Sequence, residues 1–254
     1  MNTSLPCFAI IPARYASKRF PGKVLATIAG KPMFWHVYHR AKQCPFLQEV
    51  YLATDNDLIL TAAKDLNVPA VLTSDQHKSG TDRVMEAALK LNLKDSIILN
   101  LQADEPLLTP QMLSELISPF AKQNVQVTTL ARPITREEAQ NLNQVKVVMD
   151  KRGFALYFSR NLIPYPRAST PVFWGHIGLY AYTYETLELF SRLPESQLEQ
   201  VEKLEQLRLL ENDIPIFVAK TRYKTIGVDT PQELEVVRKI FEQKGEMSES
   251  HINA

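Results

Sequence analysis

The sequence predicts an α/β protein with a Rossmann-like, doubly wound and mainly parallel sheet that is interrupted by an antiparallel excursion. Short apolar runs alternate with segments whose apolar residues recur every three to four positions, which is typical of βαβα order. Residues 145–182 instead contain three strand-like runs with few helical segments between them. A chain of 254 residues is also long enough to bury a large core without disulfides or metals.

The first half of the chain supplies most of the parallel sheet. The expected strands are short, mainly apolar runs at residues 7–12, 49–53, 70–73, 96–101 and 126–131. The expected helices lie between them, at residues 32–43, 57–67, 82–92 and 110–123. Helices that connect parallel strands in this way cover both faces of a sheet.

The second half leaves this pattern and then returns to it. The expected elements are strands at residues 145–149, 154–158 and 174–182, a helix at 197–210, strands at 216–219 and 224–228, and a helix at 231–243. Residues 161–171 contain three prolines and are expected to form a loop. We interpret residues 145–190 as a dimerisation block within one domain of residues 1–244. The polar residues 245–254 are expected to form a disordered tail.

Composition excludes several classes of function. The net charge of +1 provides no overall field for nucleic acid, so no nucleic-acid partner is expected. The first residues lack the basic and long apolar segments of a signal peptide, and no membrane association is expected. The two cysteines cannot form a disulfide framework, which favours a reduced, cytoplasmic setting. The glycine patterns of dinucleotide-binding and P-loop proteins are absent, which argues against a dehydrogenase or a P-loop ATPase.

Two loops have the residues to bind an anion. Residues 14–23, which follow the first strand, contain four cations, and clustered Arg and Lys at a strand's carboxyl end suit a polyphosphate. A solvated basic loop is the alternative, although two prolines that stiffen this region favour binding. Residues 79–83 place small hydroxyls and a glycine before a helix, where backbone N–H groups can bind an anion. Taken alone, this second loop is explained better by a simple helix cap formed by Ser79 or Thr81.

Two carboxylates follow expected strands and have no capping duty. Thr230 and Glu233 fit a capping box, which leaves Asp229 available, and Thr109 caps the helix downstream of Asp104. Two such carboxylates at the carboxyl ends of strands can share a hard cation. Solvated turn aspartates are the alternative. Together with the cationic loop, the pair indicates metal-assisted chemistry on a nucleotide.

The motifs of this chain, taken together, resemble those of a known family, the 3-deoxy-D-manno-octulosonate (Kdo) cytidylyltransferases, or CMP-Kdo synthetases. The resemblance covers about residues 8–240, with the motifs in the family's order. The matching runs are residues 11–23, 100–106, 155–160, 176–182, 204–208 and 227–231. Any one run would indicate only a sugar nucleotidylyltransferase, whereas the combination is specific.

The resemblance implies transfer of CMP from CTP to Kdo, with release of pyrophosphate and Mg²⁺ as cofactor. It further implies a cytoplasmic homodimer whose product serves lipopolysaccharide synthesis. Its catalytic residues correspond to Lys23 and Arg14, and its metal ligands to Asp104 and Asp229. Its nucleotide-binding residues correspond to Ala13, Arg14, Lys23, Ser79, Arg83 and Ala103. Its sugar-acid residues correspond to Gln102, Arg160, His176, Tyr180, Glu205 and Gln206.

The residues assigned to the sugar acid also have ordinary structural explanations. His176, Tyr180 and Tyr182 alternate along one face of an expected strand, which suits a hydroxylated acid but also suits packed core residues. Glu205 and Gln206 flank an apolar helical stripe, where a solvated face with a Glu205–Arg208 pair is the alternative. Arg160 suits a sugar carboxylate or an ordinary surface position.

The chain departs from the family's usual sequence at two places. The family usually has Gly at the position of Ala103, whose methyl group limits positive φ and close ligand approach. The stretch between Pro166 and His176 is also short for the family.

The sequence argues against two rival functions. CMP-sialic acid synthetases normally carry Gly-Gly at Tyr15-Ala16, which argues against that activity. A non-catalytic nucleotide-binding regulator would be expected to have lost some of Lys23, Asp104 or Asp229, and all three are present.

Overall fold

We describe the protein from a computed structural model. The structure describes residues 5–16, 20–122, 124–168 and 171–250, with side chains to residue 243. Within these ranges the chain forms one nine-stranded sheet and a separate two-stranded sheet.

The main sheet is built mostly from parallel strands. Its strands, in chain order, are β1 (Cys7–Ala13), β4 (Leu47–Thr54), β5 (Ala70–Leu72), β6 (Ile97–Asn100), β7 (Val127–Ile134), β8 (Lys146–Met149), β9 (Ala155–Ser159), β10 (Phe173–Thr183) and β11 (Ile216–Lys220). The small antiparallel sheet consists of β2 (Thr27–Ile28) and β3 (Lys31–Pro32).

The strand order in the main sheet is β11-β7-β10-β6-β1-β4-β5. Strand β1 pairs in parallel with both β4 and β6, and β7 pairs in parallel with β11. Strand β10 runs antiparallel between β6 and β7, and its first part also pairs with β8 of a β8–β9 hairpin. The predicted fold class, a mainly parallel sheet with an antiparallel excursion, is therefore confirmed.

Helices cover both faces of the sheet. They are α1 (Met33–Ala41), α2 (Asp57–Asp65), α3 (Gly80–Lys90), α4 (Pro110–Ile117), α5 (Arg136–Gln140), α6 (Tyr184–Arg192), α7 (Gln197–Glu202), α8 (Leu207–Glu211) and α9 (Pro231–Ser250). Helices α1, α2 and α4 pack on one face, with Ala9 and Ile11 of β1. Helices α3, α6 and α8 pack on the other face, with Ile10. This alternation along β1 is what a strand buried on both sides requires.

Local signals determine where several helices begin. Thr109 accepts a hydrogen bond from the Met112 amide at 3.3 Å and precedes Pro110, the first residue of α4. Thr230 accepts one from the Glu233 amide at 3.3 Å, while the Glu233 carboxylate accepts from the Thr230 amide at 2.9 Å. The predicted caps of α4 and α9 are thus confirmed.

Several expected elements differ in the structure. Residues 224–228 form no strand, because they run beside the loop that follows β6 and bond to it instead of extending the sheet. The expected helix 197–210 is divided into α7 and α8, since Lys203 adopts a left-handed φ of 54° that ends α7. Helices α5 and α6 were not expected.

Two expectations concern residues near the ends of elements. Helix α9 continues through Ser250, where a disordered tail was expected from residue 245, while residues 251–254 lie outside the described ranges. Glu and Met, both good helix formers, allow this continuation. Gln123, the expected last residue of the fourth helix, also lies outside the described residues.

Candidate functional site

A cavity of about 120 Å³ lies beyond the carboxyl ends of β1 and β6. Its lining residues are Pro12, Arg14, Lys23, Val24, His77, Ser79, Gly80, Arg83, Gln102, Ala103 and Asp104. The structure thus brings together most of the residues expected at the nucleotide. Ala13, by contrast, is fully buried in the core and does not line this cavity. The position agrees with the general rule that ligands bind at the carboxyl ends of strands in open α/β sheets.

The loop after β1 is closed by a tight turn that presents Lys23. The Gly22 amide donates to the Tyr15 carbonyl at 2.9 Å, and Gly22 has a φ of 69°, which favours glycine. A 3₁₀ helix at Lys23–Leu25 then directs Lys23 towards the cavity, and Arg14 is exposed at its edge. Ser17, Lys18 and Arg19 of the expected cationic loop lie outside the described residues.

Lys23 joins the two aspartates that the sequence placed at strand ends. Its Nζ donates a hydrogen bond to the Asp104 carboxylate and lies 2.8 Å from Oδ1 of Asp229. Burial lowers the pKa of Lys23, but the Asp104 carboxylate and then Asp229 outweigh it, so the pKa is raised above its ordinary value. Lys23 is therefore a permanent cation, and the expected convergence of Asp104 and Asp229 is present in the structure.

Residues 224–228 hold the two aspartates together. The Val228 amide donates to the Asp104 carbonyl at 2.8 Å, and the Thr225 hydroxyl donates to the Glu105 carboxylate. A Cβ at Gly227 would lie 3.2 Å from Oε1 of Glu105, so glycine allows this close approach. Asp229 can follow Asp104 because these contacts join the two loops.

Glu105 is a second carboxyl in this region, but its environment differs. Burial raises the pKa of Glu105 to about 8, and the hydrogen bond from Thr225 only partly offsets this effect. The neighbouring charges of Asp104 and Asp229 act in the same direction as burial. Glu105 is therefore largely neutral at pH 7, unlike a carboxylate that holds a cation.

The donor set at Asp104 and Asp229 fits a hard divalent cation. Both side chains are partly exposed, and both reach the same nitrogen of Lys23. Among the residues that the structure describes, no group of three or more His, Cys, Asp or Glu side chains is arranged to hold a metal. Two carboxylates, completed by water and substrate phosphates, are the usual protein contribution to a Mg²⁺ site.

Arg83 and Ser79 lie at the start of α3 but have different surroundings. The Arg83 guanidinium donates to Asp55, to the Thr73 hydroxyl at 2.5 Å and to the Ser74 carbonyl at 3.3 Å. It is 3% exposed, so most of its donors are already used within the protein. Ser79 caps α3 by accepting from the Asp82 amide at 3.1 Å, as the alternative interpretation expected.

Ala103 lies in the cavity without backbone strain. It is not among the described residues with positive φ, so this backbone does not require the glycine that the family usually has. Its methyl group is 4% exposed and contributes to the apolar core.

His176 and Tyr180 lie on the face of β10 that the alternation predicted. Their ring centroids are 5.5 Å apart, and Tyr180 stacks on Tyr182 at 5.8 Å. The opposite-face residues Ile177 and Leu179 belong to the other core cluster. Removal from water lowers the pKa of His176 to about 3, so the ring is neutral, and Nε2 lies 2.9 Å from the Thr129 hydroxyl oxygen.

Glu205 is connected to Gln102 by a chain of hydrogen bonds. The Thr81 hydroxyl donates to Oε2 of Glu205 at 3.1 Å and accepts from the Asn100 amide at 3.1 Å. Asn100 in turn accepts from Gln102 at 3.2 Å. Burial raises the pKa of Glu205, and the hydroxyls of Ser79 and Thr81 oppose this shift. A solvated Glu205–Arg208 pair does not form, because Arg208 makes a bidentate, buried pair with Glu199.

Three of the expected sugar-acid residues have buried polar atoms without protein partners. Among the described residues, the atoms in this state include the Tyr180 hydroxyl, Oε1 of Glu205 and Nε2 of Gln206. Buried polar groups usually have hydrogen-bond partners, so such a set indicates a place for a ligand or water.

Arg160 lies at the end of β9, where its side chain bonds to the backbone. Nε donates to the Glu202 carbonyl at 3.0 Å and Nη1 to the Leu142 carbonyl at 3.4 Å. The Arg160 carbonyl accepts from Nζ of the buried Lys146 at 2.5 Å. Phe158, two residues earlier, contacts His176 with ring centroids 5.0 Å apart. Arg160 is thus near the aromatic face, with part of its guanidinium already bonded.

His77, Thr225 and Lys146 were not predicted from the sequence, and Thr81 was considered only within the loop of residues 79–83. His77 could have been noticed as a histidine two residues before a helix cap. Thr81, Thr225 and Lys146 act through partners that are distant in sequence or lie in loops, and no local pattern marks them.

Known proteins are similar to this chain over most of its length. Residues 8–222 match the family model described as Cytidylyltransferase. A 3-deoxy-manno-octulosonate cytidylyltransferase of Oleidesulfovibrio alaskensis is 56% identical over 92% of this chain and 96% of its own length. One from Nitratidesulfovibrio vulgaris is 53% identical over 93% of this chain and 96% of its own.

A solved structure is similar as well. A CMP:2-keto-3-deoxy-manno-octonic acid synthetase complexed with CTP superimposes with a TM-score of 0.90 and is 42% identical, covering 94% of this chain and 99% of its own. Of the helices in the described ranges, none combines the length and apolar character that crossing a bilayer requires.

The family model, the two relatives and the solved structure agree with one another. They show that the chain belongs to the cytidylyltransferase family and, within it, to the 3-deoxy-manno-octulosonate cytidylyltransferases.

Proposed function

We propose that this enzyme transfers CMP from CTP to the anomeric hydroxyl of Kdo, giving CMP-Kdo and pyrophosphate. CMP-Kdo is the activated sugar of lipopolysaccharide synthesis. The observation that carries the proposal is the convergence of Asp104 and Asp229 on Lys23 at the edge of the cavity. Membership of the family supports CTP as the nucleotide and Kdo as the sugar acid.

In the proposed reaction the anomeric oxygen attacks the α-phosphorus in line with the leaving pyrophosphate. The new oxygen–phosphorus bond forms as the bond to the pyrophosphate oxygen breaks, and the hydroxyl proton passes to bulk water. Lys23 stays protonated because the two carboxylates raise its pKa, so it can donate to a phosphate oxygen that gains charge. Arg14, exposed at the edge of the cavity, can bind phosphate oxygens in a bidentate manner.

We assign the cofactor as Mg²⁺ and its protein ligands as Asp104 and Asp229. When bound, Mg²⁺ neutralises phosphate oxygens and lowers the pKa of a bound hydroxyl. The carboxylates of Asp104 and Asp229 both face Nζ of Lys23, because residues 224–228 are bonded to the loop after β6 and bring Asp229 beside Asp104. Lys23 balances part of their negative charge.

We assign the sugar acid to the region around His176, Tyr180, Glu205 and Gln206. The buried atoms of Tyr180, Glu205 and Gln206 that lack protein partners support this assignment, because sugar hydroxyls both donate and accept hydrogen bonds. Arg160 is the assigned partner of the sugar carboxylate, with the donor atoms that its backbone contacts leave available. Gln102 lies between this region and the nucleotide cavity.

The test is pyrophosphate release measured across nucleotides and sugar acids. We expect Mg²⁺-dependent release only when CTP and Kdo are both present, because the two substrates have separate subsites. ATP with Kdo, and CTP with sialic acid, are the matched controls. Equal turnover with sialic acid would identify the rival activity, and CTP binding without turnover would identify a regulator.

We propose that the enzyme is a homodimer, a single domain of residues 1–244 in each subunit, in a cytoplasmic setting. One sheet from β1 to β11 supports the single domain, and buried thiols at Cys7 and Cys44 suit a reducing compartment. Most of β10 is internal to the main sheet, so we assign the dimer surface to other parts of the block of residues 145–190. The apolar side chains left exposed in the block include Leu156 at 63%, Tyr165 at 80% and Val172 at 61%.

Light scattering should report about twice the chain mass of 28.9 kDa at micromolar concentration. Leu156→Asp should shift the protein towards monomer, because a charge would be buried in the interface. Leu58→Asp is the matched control, since Leu58 is 60% exposed on α2, outside the block. A wild-type monomer would contradict the proposal.

A further inference from the structure

One titratable side chain of the nucleotide cavity has no part in the chemistry above. His77 lines the cavity together with Arg14, Lys23 and Ser79. It belongs to residues 73–79, the loop between β5 and α3. Its position in a cavity assigned to a nucleotide makes it a candidate contact to the ligand.

A carboxylate on α3 holds this imidazole. Oε2 of Glu86 bonds to Nε2 of His77 and also accepts from the Ser74 amide at 2.8 Å. The other oxygen of Glu86 pairs with Lys90 at 2.8 Å. Burial opposes ionisation of Glu86, but hydrogen bonds from Lys90, the Ser74 amide and His77 lower its pKa to about 2. Glu86 is thus a permanent anion behind the ring.

The same loop is attached to α3 at a second point. Arg83, one turn before Glu86, donates to the Thr73 hydroxyl at 2.5 Å and the Ser74 carbonyl at 3.3 Å. The two anchors restrict the loop, so the orientation of His77 is fixed before any ligand binds. Such preorganisation reduces the entropy lost on binding.

The contact with Glu86 also determines which nitrogen remains available. Nε2 is used by Glu86, and within the described part of the chain Nδ1 has no hydrogen-bond partner. The ionised Glu86 carboxylate can only accept, so Nε2 carries the proton of this contact, and Nδ1 donates to a ligand when it carries a proton as well. The cations that share the cavity, Arg14 and Lys23, indicate that the ligand portion bound there is the polyphosphate.

We propose that His77 is a further nucleotide-binding residue, whose Nδ1–H donates to a phosphate oxygen of CTP, and that Glu86 is its positioning residue. The inference rests on the proposed function, since it takes CTP as the ligand. It adds a cationic contact to the polyphosphate that neither the motifs nor the family comparison assigned.

The experiment is calorimetric titration of CTP in the presence of Mg²⁺. His77→Gln places an amide nitrogen near Nε2, which can still bond to Glu86, but it removes Nδ1. We expect it to weaken CTP binding on the order of 10-fold or more, as for loss of one charge-assisted hydrogen bond. Glu86→Gln should weaken it less, because the amide oxygen still accepts from His77. His39→Gln, an exposed histidine on α1, is the matched control and should bind CTP normally.

Cytidine binding distinguishes a contact with phosphate from a merely structural role of His77, because a structural defect would weaken the binding of both ligands. Ligand-observed NMR should show equal cytidine binding by the wild type and His77→Gln, since no phosphate is present. Affinity for CTP within twofold of wild type in His77→Gln, or equal losses for CTP and cytidine, would overturn the inference. Failure of the wild type to bind CTP would instead overturn the proposed function.

Discussion

Asp104→Asn and Asp229→Asn should each reduce turnover on the order of 10²- to 10³-fold, as for loss of one key electrostatic group. Both carboxylates contact the same Lys23 nitrogen, so removal of either one disables the same assembly. The double variant should be little worse than the poorer single variant, because residues that act as a unit are not additive. The measurement is kcat for pyrophosphate release over a range of Mg²⁺ concentrations, and high Mg²⁺ should partly rescue each single variant.

Stability provides the control for these two variants. Thermal unfolding should change little, since Thr109 and Thr230 still cap α4 and α9. Asp65→Asn, at an exposed position on α2, should leave both turnover and Mg²⁺ dependence unchanged. Two small and additive effects with unchanged Mg²⁺ dependence would show that Asp104 and Asp229 are ordinary turn residues.

The second large effect is expected on stability, from Lys146→Met. Lys146 is fully buried, and its Nζ donates to the carbonyls of Asn141 at 3.0 Å, Gln144 at 2.7 Å and Arg160 at 2.5 Å. Methionine has similar length but no donor, so the Gln144 and Arg160 carbonyls lose this partner, while the Asn141 carbonyl still accepts from the Gln144 amide at 3.1 Å. At about 1–3 kcal/mol for each unsatisfied group, we expect a loss of about 2 kcal/mol or more. For a chain of this size that lowers Tm by about 4–8 °C.

Calorimetry or circular dichroism during heating measures this difference. Lys151→Met, an exposed turn residue between β8 and β9, is the matched control and should change the free energy of unfolding by less than about 0.5 kcal/mol. Equal Tm values for the two variants would mean that the carbonyls around Lys146 find other donors. Because Arg160 is one of the three partners, Lys146→Met should also raise KM for the sugar acid more than KM for CTP.

The elements that could be predicted from the sequence are those with local signals. The βα alternation located the strands of the parallel sheet, Thr109 and Thr230 marked two helix starts, and strand parity placed His176 and Tyr180 on one face. The convergence of Asp104 and Asp229 also followed from their places at the end of apolar runs.

The features that could not be predicted depend on contacts that are distant in sequence. Residues 224–228 contain the β-branched Thr225, Ile226 and Val228, which favour a strand, and only the bonds of this segment to Asp104 and Glu105 show why it remains outside the sheet. The role of Lys23 as the link between Asp104 and Asp229, and the anchoring of His77 by Glu86, likewise need the folded structure. No periodicity or spacing in a single sequence contains this information.

The position of β10 has a consequence for how the chain is made. Strands β1, β4, β5 and β6 are complete once synthesis passes Asn100, but β10, the partner of β6 on its other side, ends only at Thr183. Until then the apolar strand Ile97–Asn100 has an open edge, and β7 lacks the strand that joins it to the first half. Open strand edges are templates for pairing with other chains. The emerging polypeptide therefore has a sheet with an unpaired, aggregation-prone edge half-way through translation. Strand β10, which bears His176 and Tyr180, is also the strand that pairs with this edge.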